Sequence, residues 1–313
     1  KAGRYVSSMK AEMRRAGLPT DLVWLSMIES GHNPSIESPV GAVGLWQFMP
    51  QSGRMYGLTV DKWVDERRDP ARSTQAAVRL LSDLRERFGN WELAMAAYNM
   101  GYAGLSKSIG KYNTNDYWAL SRLEGGIPWE TTLYVPKIFA LAIVMNNREA
   151  FGLGKIQADP AVSFDTILVE PGAAWPDVAK AAKTSEQELK SLNPQYVAER
   201  LPPTAGSEPK WAVRVPRGKG MEALAALSGR TAAKFDTIVA RFGDDASSLS
   251  SDYGGRETDW MRENQLDKDE RIEAGTVLIV PRGAQSKPVA KPMQELVVSR
   301  PVEVGPGLGL VFY

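Results

Sequence analysis

A carboxylate stands where an apolar residue would be expected. Glu29 closes the run Trp24-Leu25-Ser26-Met27-Ile28 and shares one helical stripe with Leu22 and Leu25, at i, i+3 and i+7 spacing. A charge on a buried helix face is costly unless it is used, and burial drives a carboxyl toward its protonated form. A general acid working near neutral pH needs that form. Gln47, in Gly44-Leu45-Trp46-Gln47, lies eighteen positions beyond Glu29 and carries an amide that both donates and accepts. The chain has no cysteine, which removes thiol nucleophiles, disulfides and cysteine-zinc sites. The single histidine, His32, rules out His-rich metal sites and reads as an ordinary surface-loop residue, not the base of a Ser-His-Asp triad. Carboxylate chemistry remains, with no metal and no cofactor expected.

Composition limits what such a group can serve. With 313 residues, 43% of them hydrophobic, the chain can bury a substantial core and is long enough for two or three domains. The 38 basic and 37 acidic residues give a formal net charge of +1, so no global field argues for a nucleic-acid partner. No apolar stretch approaches the roughly 20 residues of a membrane span. The sequence begins at Lys1, which reads as a trimmed fragment whose signal peptide or lipid anchor has been removed. A soluble monomer is expected.

Up to about Gly154 the patterns are helical. Pro19 suits a first helical turn, and the stripe ending in Glu29 stops at Gly31 and Pro34. A longer helix is expected after Asp69-Pro70, with Leu80, Leu81, Leu84 and Phe88 inward and Gly89 closing it. Asn90 caps the next, Trp91 to Asn99, whose small residues permit close packing. A further helix begins near Pro128, places Glu130 and Tyr134 four apart on one face, and meets a kink at Pro136. Irregular links, Ser35 to Gly44 and Gly101 to Gly126, would shape a groove between these helices.

Beyond Ala158-Asp159-Pro160 an internal repeat takes over. Phe164-Asp165-Thr166-Ile167 recurs as Phe235-Asp236-Thr237-Ile238, and Val213-Arg214-Val215-Pro216-Arg217-Gly218 as Leu278-Ile279-Val280-Pro281-Arg282-Gly283. Amphipathic segments, Trp175 to Leu192 and Ser247 to Glu263, lie between and are followed by Asn193 and Asn264. The order is strand, helix, helix, strand, and two copies suggest a two-site tether. Lys219 to Lys234 reads as a helical linker. Leu296-Val297-Val298 and Val302 to Val304 would add edge strands.

The set Ile28-Glu29-Ser30, Gly41 to Pro50, Ala96-Ala97-Tyr98-Asn99-Met100-Gly101 and Glu130 to Val135 resembles the soluble-lytic-transglycosylase superfamily, whose catalytic domain is goose-lysozyme-like. The C-terminal units resemble LysM modules, which bind glycans containing N-acetylglucosamine. The second unit fits better, with Phe242-Gly243-Asp244-Asp245 as its opening turn. The first has Glu170-Pro171-Gly172-Ala173 there and an insertion around Leu201 to Pro209. The implied fold class is α+β multidomain: a mainly α-helical lysozyme-like catalytic domain at 1–158, then two small βααβ modules. The first of these, degenerate, spans 159–218 and the second 235–283. A linker helix occupies 219–234 and a tail 284–313.

The resemblance implies cleavage of the MurNAc–GlcNAc β-1,4 bond of peptidoglycan, with Glu29 as general acid and then base. It places Ser38, Gln47, Met49, Tyr98, Asn99, Glu130 and Tyr134 along the sugar site. Ser30 has a structural alternative as a helix-end hydrogen bonder, as does Asn99 within its own turn. It also implies peptidoglycan glycan strands as partner and a periplasmic location, with an outer-membrane lipid anchor preceding this chain. Two other readings stay open. A goose-type lysozyme would use water and need a second carboxylate, for which Glu37, Asp61 and Asp65 are the nearest in sequence. A non-catalytic wall-binding scaffold would need only the repeats.

Overall fold

The structure, a computed structural model, describes residues 2–204, 210–228 and 236–289. The chain divides into two compact units, 1–235 and 236–313. The first unit opens with eight helices: α1 (Val6–Arg15), α2 (Val23–Ser30), α3 (Pro50–Met55), α4 (Pro70–Phe88), α5 (Trp91–Met100), α6 (Tyr102–Tyr112), α7 (Tyr117–Leu120) and α8 (Trp129–Asn146). Their boundaries follow local chemistry. The Asp69 carboxylate accepts the amides of Ala71 and Arg72 to start α4, and Gly89, at φ 80°, ends it in the left-handed conformation. Asn90 caps α5 through the Leu93 amide. Buried Ala94, Ala96 and Ala97 let α5 pack closely in a core that also holds Met9, Met13, Leu25, Trp46, Leu81 and Tyr117.

Several expectations change. Pro19 is extended and precedes a short 3-10 turn, Thr20–Leu22, so α2 begins at Val23. On α4 the inward face runs from Ser73, Ala77 and Leu81 to Leu84, while Leu80 and Phe88 are only partly buried. The link from Gly101 to Gly126 is not irregular, because it forms α6 and α7. α8 continues through Pro136. The chain returns to its start after α8, with the Val162 amide donating to the Arg4 carbonyl at 3.3 Å.

Two βααβ modules follow. The first comprises β1 (Phe164–Val169), α9 (Trp175–Ala181), α10 (Glu186–Leu192) and β2 (Trp211–Pro216), its strands antiparallel with Phe164 opposite Pro216. α11 (Gly220–Ser228) comes next; the rest of the expected linker helix, Phe235 of the repeat and the tail from 290 lie outside the described residues. The second has β3 (Thr237–Val239), α12 (Ala246–Tyr253), α13 (Glu257–Asn264) and β4 (Val277–Ile279), with Thr237 opposite Ile279. Each module is closed by the same device. Asn193 donates to the Arg214 carbonyl (2.7 Å) and accepts its amide (2.8 Å). Asn264 does the same for Ile279, at 2.9 and 2.7 Å. A buried asparagine thus ties the second helix of each module to its closing strand.

The first module is not a free tether. Trp63 and Val64 of the helical domain are buried in the module's core with Ile167, Trp175, Tyr196 and Val213. Val64 pairs with Tyr196 in an antiparallel bridge, the Asp65 amide donates to the Gln195 carbonyl (2.8 Å), and Val197 donates to Trp63 (3.2 Å). Arg214 of β2 forms an ion pair with Asp69 at 2.6 Å.

Replacing Asn264 by Ala removes both hydrogen bonds to Ile279 and strands buried backbone groups, an expected loss of about 2–3 kcal/mol. Hydrogen exchange should show the amides of β4 losing protection; unchanged protection there would refute the asparagine's closing role.

Candidate active site

The site is assembled on the segment Ile36 to Phe48, a loop folded back on itself by bridges from Val43 to Glu37 and to Phe48. Two helices fix it through hydroxyl groups. On α2, Ser26 and Ser30 both donate to the Leu45 carbonyl, at 2.8 and 2.9 Å. On α5, the Tyr98 hydroxyl donates to the next carbonyl, Trp46, at 2.6 Å. The Trp46 side chain is fully buried, its indole N–H on Thr74 (3.0 Å). The loop's other side rests on Arg67, which is almost fully buried and paired with Asp65 through two hydrogen bonds of 2.9 and 2.8 Å. The free arm of that guanidinium donates to the carbonyls of Gly41 (2.8 Å) and Phe48 (3.0 Å). Gly44 is obligatory here: its φ is +83°, and a Cβ would sit 2.0 Å from the Arg67 carbonyl oxygen.

Glu29, one residue before Ser30, is half-buried beside this loop. Its Oε1 accepts the Tyr134 hydroxyl of α8 at 2.5 Å. Burial raises the Glu29 pKa above 4.5; the Tyr134 hydrogen bond opposes that shift, and the negative charge of Glu130 adds to it. Burial also holds the phenols of Tyr98 and Tyr134 far above their ordinary range, so both stay neutral donors. The arrangement is a carboxyl biased by burial toward its protonated form, with two neutral phenols close to it.

The remaining expected residues fall into two sets. Gln47 adopts a left-handed φ of 48°, and its amide donates to the Gly44 carbonyl at 2.9 Å; it belongs to the turn before α3, not to a helix start. Met49 is exposed and precedes Pro50 at the head of α3. Glu130 is exposed at the start of α8, near Asn99 (3.5 Å). Asn99 itself accepts the Thr131 hydroxyl at 2.7 Å and so joins α5 to α8. The Ser38 hydroxyl accepts the Ala42 amide at 2.9 Å, bracing its own turn. Beyond Tyr98 lies a cavity of about 730 Å³, lined also by Met55, Tyr56, Asp83, Arg87 and Tyr102.

His32 is a correction. It is 1% exposed, not a surface residue, and its Nδ1 meets the Ser26 hydroxyl at 3.1 Å. Because that hydroxyl donates to Leu45, a lone pair remains for the ring N–H. The Nε2 atom has no hydrogen-bond partner among the described residues, and burial lowers the His32 pKa to about 4. Each candidate second acid is committed elsewhere. Glu37 pairs with Arg68 (2.7 Å), Asp61 accepts the amides of Trp63 and Val64 (2.7 and 2.8 Å), and Asp65 holds Arg67. Sequence reasoning missed Ser26, Arg67 and Thr131. The run Asp65-Glu66-Arg67-Arg68-Asp69-Pro70 is among the motifs that carry the resemblance, but nothing in it marks Arg67 as the buried member that holds the loop.

Residues 7–121 match the family model described as Transglycosylase SLT domain, which spans Glu29, the loop and Tyr98. The helical part of the chain therefore carries a transglycosylase SLT domain. Residues 238–281, within the second βααβ module, match the LysM domain model, which does not match the first module. The chain is 29% identical over 308 residues to membrane-bound lytic murein transglycosylase D of Escherichia coli (strain K12). That alignment covers 93% of this chain and 66% of the relative, so the chain spans just under two thirds of the relative's length. It is also 34% identical over 110 residues to a putative tributyltin chloride resistance protein of Alteromonas sp. (strain M-1), covering 35% of this chain and 53% of that protein. Among solved structures, an inactive mutant of lytic transglycosylase Slt from Pseudomonas aeruginosa matches at 24% identity and TM-score 0.38, covering 49% of this chain and 25% of that one. The 70 kDa soluble lytic transglycosylase of Escherichia coli matches at 26% and 0.38, covering 47% and 24%.

A carboxyl whose folded pKa is raised binds more protons folded than unfolded, so its ionisation costs stability as pH rises through the window above 4.5. Glu29→Gln should therefore melt above the parent at pH 8, with the gap closing toward pH 4. A constant gap across that range in calorimetry would contradict the burial of the charge.

Proposed function

We propose that this enzyme cleaves the MurNAc–GlcNAc β-1,4 bond of peptidoglycan without water. The protonated Glu29 gives its proton to the glycosidic oxygen as the C1–O bond breaks. The resulting carboxylate takes the proton of the muramoyl C6 hydroxyl, whose oxygen bonds to C1 and closes a 1,6-anhydro ring. Proton and bond counts balance, and Glu29 ends as it began. The observation that carries this reading is the Glu29 carboxyl, pushed by burial toward its protonated form, while Glu37, Asp61 and Asp65 serve the scaffold. Tyr134 steadies the carboxylate between the two proton transfers, and Glu130 favours the protonated form before the first. Gln47, Met49, Ser38 and Asn99 complete the sugar site, the last two through the turn and helix contact they brace. The cavity beside Tyr98 continues the groove for the glycan strand.

Hydrolysis by water has one observation in its favour: the charge of Glu130 is felt at Glu29, so a second carboxylate is close. The second module supplies glycan binding, with Phe242, 97% exposed beside the Gly243 turn, offering a ring face to a sugar. We assign the catalytic domain to 1–158, the modules to 159–218 and 235–283, and read the first as a degenerate LysM-like unit. Among the described residues no helix is long and apolar enough to cross a membrane. Peptidoglycan as substrate implies the periplasm.

Digestion of purified sacculi should release muropeptides ending in 1,6-anhydro-muramic acid, seen by mass spectrometry; reducing muramic ends alone would decide for hydrolysis. Glu29→Gln should lower turnover by about 10²–10⁴-fold or more. The neighbours should move the alkaline limb of the kcat profile in opposite directions. Glu130→Gln removes a negative charge, lowers the Glu29 pKa and shifts the limb to lower pH. Tyr134→Phe removes a hydrogen bond to the carboxylate and shifts it to higher pH. Shifts of the same sign would disprove these assignments.

A further inference from the structure

The two βααβ modules invite an internal comparison. Leu201 donates to Ala173 in the first and Ile272 to Asp244 in the second, each pair standing 71 positions from its counterpart, as do Asn193 and Asn264. The loop just after that asparagine is therefore equivalent in both. In the second module Asp267, the counterpart of Tyr196, is exposed, while Leu266, the counterpart of Gln195, is buried in that module's own core. In the first, Tyr196 is 8% exposed and paired with Val64, and the Gln195 carbonyl accepts the Asp65 amide. The tyrosine position is open in one copy and spent on an intramolecular contact in the other.

What that contact holds is the base of the active-site loop. Gln195 fixes the Asp65 amide, Asp65 orients Arg67, and Arg67 grips Gly41 and Phe48 at either end of the turn bearing Gln47. Four residues beyond Asp65, Asp69 is tied to Arg214 of β2. That guanidinium also lies over the Phe164 ring at 5.1 Å, so it is anchored to both strands of the module. Asp65 thus holds Arg67 directly, Asp69 stands two residues beyond Arg67 at the head of α4, and both aspartates are themselves held by the first module.

We propose that the first βααβ module is a positioning element of the active site, not a glycan tether: through Gln195, Tyr196 and Arg214 it fixes Asp65 and Asp69, so that Arg67 keeps the Gly41–Phe48 loop in register with Glu29. Sacculus binding then belongs to the second module. The activity arm of the test rests on the reading of Glu29 given above; the exchange arm does not.

Two full-chain variants cut the tie from opposite sides. Asp69→Asn retains the side-chain oxygen that caps α4 and loses only the ion pair, and Arg214→Gln removes the partner. Each should speed hydrogen exchange of the Val43, Gly44 and Phe48 amides about tenfold or more. Each should also lower kcat on soluble, uncross-linked glycan strands by about tenfold at nearly unchanged KM, because small misplacements of reacting groups cost rate before they cost binding. Pull-down with sacculi should not change, and Arg214→Lys, which keeps the charge, should recover most of the rate. Unaltered loop exchange in both variants would overturn the proposal. So would lost sacculus binding with intact kcat, the signature of a tether. If one variant fails to fold, the other decides by the same readouts. If the parent releases no anhydro product, the functional reading fails while the exchange result still decides the module's role.

Discussion

The carbonyl oxygen of Leu45 accepts two serine hydroxyls, and the rest of the site takes its position from that bond pair. Ser26 and Ser30 lie one turn apart on α2, so their convergence on a single oxygen sets both the height and the rotation of the helix against the loop. Glu29 precedes Ser30 and is carried with it. Tyr98 repeats the device one residue along, from α5, at Trp46. Hydroxyls suit this work because they satisfy buried carbonyls without bringing charge into the core. The acid therefore sits in a neutral polar network, where its own ionisation is the costly event.

The opposite side of the loop is held by charge. Arg67 needs a carboxylate to be buried at all, and Asp65 supplies one in bidentate form. Such a pair contributes little net stability, since its attraction is largely offset by desolvation, but it has few alternative geometries. The loop is thus gripped between a hydroxyl network and a rigid ion pair. Segments remote in sequence, α2, α5 and the stretch before α4, meet there.

Much of this was legible from local patterns. An acid on an apolar stripe, a Pro after an Asp cap, an Asn before a helix and a repeat with a constant asparagine are rules of short range, and Glu29, α4, α5 and both modules came from them. The turns α6 and α7 were missed because Gly101, Gly110 and Gly126 punctuate a stretch whose helicity depends on packing around Leu105 and Tyr117. The contacts of Trp63, Arg67 and Arg214 are not legible in the sequence, for a different reason. Their roles arise from one surface meeting another, and nothing within a window of twenty residues records that. His32 shows the same limit, since its burial depends on the position of Ser26 and the loop.

Glu29 and His32, three residues apart, impose opposite demands on the folded chain. Folding favours the neutral imidazole, whereas the unfolded chain protonates it below about 6.5; folding favours the protonated Glu29, whereas the unfolded chain ionises it above 4.5. At alkaline pH only the carboxyl is mismatched, at strongly acid pH only the ring, and between the two values both are in part. No solvent condition leaves this helix end relaxed. The strain at this helix end therefore passes from the ring at acid pH to the carboxyl at alkaline pH.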